Sequence, residues 1–158
     1  MQLPGIEREQ FIRELGIAAG EARAEKTHLG LMLIDLINLA RINHYHGYEA
    51  GDRVLQQAYS QLLTLSKLPH SVFRVGSHRF SFILTDLGNP AFIALAMNRV
   101  QRALAAELHG DTGVLGADIK IGIAINRHGG LDFMTLLARA EASLSHVKLG
   151  GVQRIEDV

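Results

Sequence analysis

The run Leu29-Gly30-Leu31-Met32-Leu33-Ile34-Asp35-Leu36-Ile37-Asn38-Leu39-Ala40-Arg41-Ile42-Asn43, followed at short distance by Gly47 and Gly51-Asp52, decides how the chain folds. From Leu29 to Ile34 the apolar character is continuous, which predicts a central strand covered on both faces. Asp35 then emerges at the strand's end. A short helix is expected from about Asn38 to His44, then a loop from Gly47 to Gly51. A long helix follows, whose Ala50, Val54, Ala58 and Leu62 share one face.

Working outward, Phe11, Leu15, Ala18 and Ala22 return at intervals of three or four between about Ile6 and Glu25, one apolar stripe on a charged helix. Val72–Val75 and Phe80–Leu84 read as a β-hairpin, with Gly76-Ser77-His78-Arg79 between them and glycine at the turn. Asn89-Pro90 predicts a helix opening, Asn89 as N-cap and Pro90 in the first helical position, with Phe92, Ala96, Val100 and Leu104 on one side. Ile119–Ile125 alternates like a strand. A last helix from about Asp132 to Lys148, burying Phe133, Leu137, Ala140 and Leu144, stops at Gly150-Gly151, and Val152–Ile155 is expected to add an edge strand. This order suits a mixed sheet with helices packed against it.

Composition bounds the function. The 158 residues, 47% hydrophobic, fit one globular domain with a substantial core. Sixteen basic residues balance sixteen acidic ones, so no overall field draws the chain to nucleic acid or an anionic membrane. The lack of cysteine excludes disulfides and thiolate metal sites and is compatible with a cytoplasmic location. Met1-Gln2-Leu3-Pro4-Gly5 is no secretory leader, and the longest apolar stretch, cut by Asp35, is too short to cross a bilayer. The eight histidines invite a metal reading. His44 and His46, two apart on a helix, point away from each other and argue against it.

Ile34-Asp35-Leu36-Ile37-Asn38-Leu39-Ala40-Arg41-Ile42-Asn43, Gly47, Gly51-Asp52, Leu55 and Phe73-Arg74-Val75-Gly76 through Phe80 together resemble the GGDEF domain of diguanylate cyclases. The likeness extends to Ile121-Gly122-Ile123-Ala124 and to the Ala140-Glu141-Ala142 helix ending in Lys148, nearly the whole chain. It implies a palm-like α+β fold with a mainly antiparallel sheet, made of residues 27–158 and led in by an amphipathic helix within residues 1–26. Active members of that family join two GTP molecules into cyclic di-GMP at a dimer interface.

Guanine presents N1–H and its exocyclic amine as adjacent donors, which one fixed carboxylate can accept together. The resemblance assigns that part to Asp52 and a second base contact to Asn43. An alternative stays open: Asn43 ends one helix, and Asp52 sits near the positive end of the next. The resemblance also puts a metal-binding aspartate at Asp35 and a phosphate contact at Lys148. Phosphoryl transfer needs magnesium held by carboxylates. The signature turn here is Gly76-Ser77-His78-Arg79-Phe80, with histidine and arginine in place of both acids, so Asp35 alone makes a weak magnesium contact. Ile37, Ala40 and Val152 stand where the family has a second aspartate, a lysine and an arginine. Lys67 and His70 stand at its inhibitory site in place of an arginine–aspartate pair.

These departures predict a regulatory GGDEF domain that makes no cyclic di-GMP. GTP is the expected ligand, and an EAL-type phosphodiesterase, attached or associated, the expected partner. A nucleotide-free dimerisation or interaction module is the alternative, and a still-active cyclase a third reading.

Overall fold

Alternation along a single strand sorts the molecule into two packed layers. In the computed structural model, which describes residues 3–66, 71–107, 118–151 and 155–156, strand β1 spans His28–Leu36 and is buried from Leu29 onward. Its Met32, Ile34 and Leu36 enter one core, and Leu29, Leu31 and Leu33 enter the other. This is the two-sided burial that its unbroken apolar run requires.

The remaining elements are helices α1 (Arg8–Glu25), α2 (Leu39–His46), α3 (Tyr48–Leu65), α4 (Phe92–Glu107) and α5 (Phe133–Lys148), with strands β2 (Val72–Gly76), β3 (Arg79–Leu87), β4 (Ile119–Asn126) and the two-residue β5 (Ile155–Glu156). The sheet order is β2-β3-β1-β4-β5. The first four strands are antiparallel neighbours, and β5 runs parallel to β4. Val54, Ala58 and Leu62 of α3 and Ile93, Val100 and Leu104 of α4 fill one core, while Phe11, Leu15 and Ala22 of α1 and Leu137, Ala140 and Leu144 of α5 fill the other. The N-terminal stripe is thus sealed against the sheet.

Four details differ from the expectations. The loop between α2 and α3 shrinks to Gly47, whose φ of 89° only glycine tolerates readily, and Gly51 lies inside α3. Asn89 Oδ1 accepts from the Ala91 amide at 2.9 Å, so a side-chain turn takes up Pro90 and α4 begins at Phe92. The buried face then starts at Ile93, leaving Phe92 50% exposed. In the hairpin no residue of the turn has positive φ, so glycine is not used as the expected turn type would use it. A register shift between Arg74 and Gly76 fits the two strands together instead. In α5, capped by Asp132 through the Thr135 amide at 2.9 Å, Leu136 is buried and Phe133 is half-buried. The strand expected from Val152 to Ile155 is seen only as β5, because Val152 lies outside the described residues.

Close packing of α5 depends on Gly122. A Cβ there would lie 2.5 Å from the Ala140 carbonyl oxygen and the Leu144 nitrogen. Helix and strand backbones therefore touch directly. On the other edge, Arg74 fastens the segment before α1: its guanidinium donates to the Pro4 and Ser77 carbonyls, each at 3.0 Å, and its amide to Glu7 at 3.1 Å. This is a structural role. Among the described residues, no helix is long and apolar enough to cross a membrane.

Candidate functional site

Asp35 follows Leu31 and Leu33 in the alternation of β1, so its side chain leaves the sheet on the face covered by α1 and α5. Arg79 stands directly opposite it on β3, and Lys120 opposite it on β4. The carboxylate is completely buried. Arg79 grips it as a fork, Nε to Oδ1 at 2.6 Å and Nη2 to Oδ2 at 3.1 Å. Lys148, the last residue of α5, donates from Nζ to Oδ2 at 2.8 Å. The direct seating of α5 on Gly122 carries its C-terminus to this point, where a cation also suits the helix dipole.

Burial raises the Asp35 carboxyl pKa, but hydrogen bonds and charge from Arg79 and Lys148 outweigh it and hold the group below its ordinary value. The hydrogen bond to Asp35 raises the Arg79 guanidinium above its own, against the effect of burial, with Glu141 adding a further favourable charge. The result is an ion-paired cluster with its anion inside and its cations at the surface.

The rest of the signature turn takes no part in it. Gly76 ends β2. Ser77 and His78 are exposed and contact each other, Oγ to Nδ1, at 3.0 Å. The His78 carbonyl accepts from the Leu36 amide at 3.0 Å, which ties the turn to the end of β1. Phe80 is buried and stacks on Tyr59 with ring centroids 6.0 Å apart.

The second group of expected residues lies where α2 meets α3. Asn43 is half-buried, and its Oδ1 is buried without a hydrogen-bond partner. A Cβ on Gly51 would come within 1.7 Å of that oxygen, so the absence of a side chain at Gly51 makes room for the Asn43 amide. Asp52, next along α3, is exposed. The fold thus brings Asn43 against the residue preceding Asp52, and brings Asp35, Arg79 and Lys148 into one cluster. Lys67 and His70 lie outside the described residues.

Magnesium does not fit the donors present. It demands near-octahedral oxygen ligands, and both oxygens of Asp35 are committed to cations. Among the described residues no three His, Cys, Asp or Glu side chains cluster to hold a metal ion. Sequence reasoning missed this pairing. The signal was the retention of Asp35 beside a turn whose acid had become Arg79, but the contact follows only from the register of β3 on β1.

The family described as diguanylate cyclase, GGDEF domain, matches residues 5–154, and the chain belongs to it. It is similar to the probable diguanylate cyclase DgcT of Escherichia coli (strain K12), 25% identical over 152 residues, 94% of this chain and 33% of that protein. It is also similar to the cyclic di-GMP phosphodiesterase PdeR of the same organism, 22% identical over 128 residues, 81% of this chain and 19% of that one. The chain therefore spans a third or less of the length of these curated relatives. Among solved structures, the GGDEF domain of DgcB from Caulobacter crescentus, in complex with c-di-GMP, matches with a TM-score of 0.82 at 22% identity, covering 95% of this chain and 89% of that one. The fold is thus the α+β palm of GGDEF domains, and the chain belongs to cyclic di-GMP signalling.

Proposed function

We propose that this chain is a non-catalytic GGDEF domain that reads guanine nucleotide, with GTP the first candidate, and regulates an EAL-type phosphodiesterase attached to or associated with it. The observation that carries the reading is the cluster at Asp35. The one acid retained for metal binding is buried and held by Arg79 and Lys148. A carboxylate so engaged offers no metal to a triphosphate, and an arginine at neutral pH serves neither as metal ligand nor as general base.

The base-reading end supports ligand binding without chemistry. Asn43 packs against Gly51, and Asp52, the next residue of α3, is exposed, a carboxylate able to accept the paired donors of guanine. The likeness to PdeR, a phosphodiesterase by name, supports the choice of partner. Regulation further requires that the partner contact the occupied and empty domain differently.

The test is calorimetric titration with GTP, ATP and cyclic di-GMP, on the wild type and on Asp52→Ala, with product analysis of the GTP sample. GTP-selective binding that disappears in the variant, without product, is expected. Cyclic di-GMP in the product would overturn the non-catalytic reading. Absence of binding by every nucleotide would leave a docking or dimerisation module.

A further inference from the structure

We propose that the Arg79–Asp35–Lys148 cluster is a metal-excluding anion site: the guanidinium stands as a fixed cation where the family holds a divalent ion, and a phosphate chain is taken there free of metal. The inference deepens the nucleotide-binding reading above and rests on it for the identity of the ligand. Its metal half rests on the cluster alone.

Donor counting carries the argument. A guanidinium has five N–H groups, and Asp35 takes one from Nε and one from Nη2 of Arg79. Three remain. The Lys148 ammonium gives one of its three to Asp35, so two remain. The side chains carrying these spare donors are 31% and 38% exposed, while Asp35 beneath them is fully buried. An anion arriving from solvent therefore meets N–H groups, whereas a cation meets positive charge and cannot reach the carboxylate.

Charge has the same sign as geometry. Arg79 and Lys148 stand at the surface above the single buried charge of Asp35, and Lys120 lies opposite Asp35 on β4. Asp35 acts as a positioning residue, since its fork fixes the guanidinium plane and pre-organises the donors for phosphate oxygens. Magnesium on an incoming triphosphate would cancel the charge these donors recognise and bring a metal for which no carboxylate is free. Magnesium should weaken binding here, the reverse of its effect at a catalytic site.

Two measurements test this on the full 158-residue chain. The first is manganese electron paramagnetic resonance without nucleotide. The signal of added manganese should keep its full height over the wild type. Loss of signal that returns in Asp35→Asn, or that deepens in Arg79→Gln if Asp35→Asn does not fold, would place a divalent ion at the cluster and overturn the proposal. The second is titration with GTP, and separately with inorganic triphosphate, in EDTA and in excess magnesium.

Affinity should be at least about threefold higher in EDTA for both ligands, and Arg79→Gln should lower it about tenfold or more. Tightening by magnesium of about tenfold would overturn the proposal. Triphosphate bound without GTP preference would refute the guanine reading alone. Failure to bind either ligand would refute the anion site, with the manganese result still deciding whether metal is excluded.

Discussion

Arg79→Ala would strip one of two cations from a carboxylate that has no access to water. Two unit charges about 4 Å apart interact by about 4 kcal/mol at an effective dielectric of about 20. Removing one partner of a fully buried pair costs about 3–5 kcal/mol, because the other charge is left without compensation. Two features reduce that figure: Lys148 stays on Oδ2, and because the Arg79 side chain is 31% exposed, solvent can enter the space it leaves and screen the carboxylate. A loss of about 2–3 kcal/mol remains, which for a urea slope of about 2 kcal/mol/M lowers the unfolding midpoint by roughly 1–1.5 M.

The assay is urea unfolding at pH 7 followed by circular dichroism, on wild type, Arg79→Ala, Asp35→Asn and the double variant. In the Asp35→Asn background the cost of Arg79→Ala should largely vanish. The sign of the pH dependence follows from the Asp35 carboxyl, which is depressed below its ordinary 3.8 in the folded state. Its stabilisation is fully present above that value and is lost as pH falls through the lower folded value. The wild-type advantage should therefore shrink in strong acid. Because burial opposes the charged form, removing Arg79 should also move acid unfolding to higher pH. A cost below about 0.5 kcal/mol, or an equal cost with and without the Asp35 charge, would refute the reasoning.

Gly122→Ala should cost about 2–3 kcal/mol, read as a drop in thermal midpoint, because the new methyl meets α5 backbone rather than a movable side chain. Gly51→Ala collides first with the amide of the Asn43 side chain. It should change stability by no more than about 1 kcal/mol while weakening GTP binding about tenfold in calorimetry. Restoring acids with His78→Glu and Arg79→Glu together should yield no cyclic di-GMP by mass spectrometry, since Ala40 and Val152 leave the phosphates poorly held.

Elements with strong periodicity were legible from sequence. The unbroken apolar run of β1 and the four-residue repeat of α3 each have one good packing solution, and the structure adopts it. The face of α4 was less legible, because a side-chain turn at Asn89 moves the first helical residue and with it the buried edge from Phe92 to Ile93. Asn43 and Asp52 were expected through the family resemblance, and the structure places Asn43 against Gly51, the residue before Asp52. The fate of Asp35 could not be read in this way. Arg79 and Lys148 lie 44 and 113 residues away along the chain, and only strand register and the seating of α5 bring them to one carboxylate. Periodicity reports which face a residue occupies; it does not report which charge on that face will meet another.

Arg74 binds the Pro4 carbonyl with one nitrogen and the Ser77 carbonyl with another, while its Nε is buried without a partner. A guanidinium already short of one acceptor tolerates the loss of a second poorly. If Pro4 pulls away, the side chain is left half-satisfied, and swinging it to water removes the support of Ser77 as well. The segment entering the domain and the tip of the signature turn are therefore linked through this side chain, beside the separate ties of Glu7 to the Arg74 backbone and of His78 to Leu36. Amide exchange at residues 5–7 and at residues 77–78 should accordingly rise in step in Arg74→Ala.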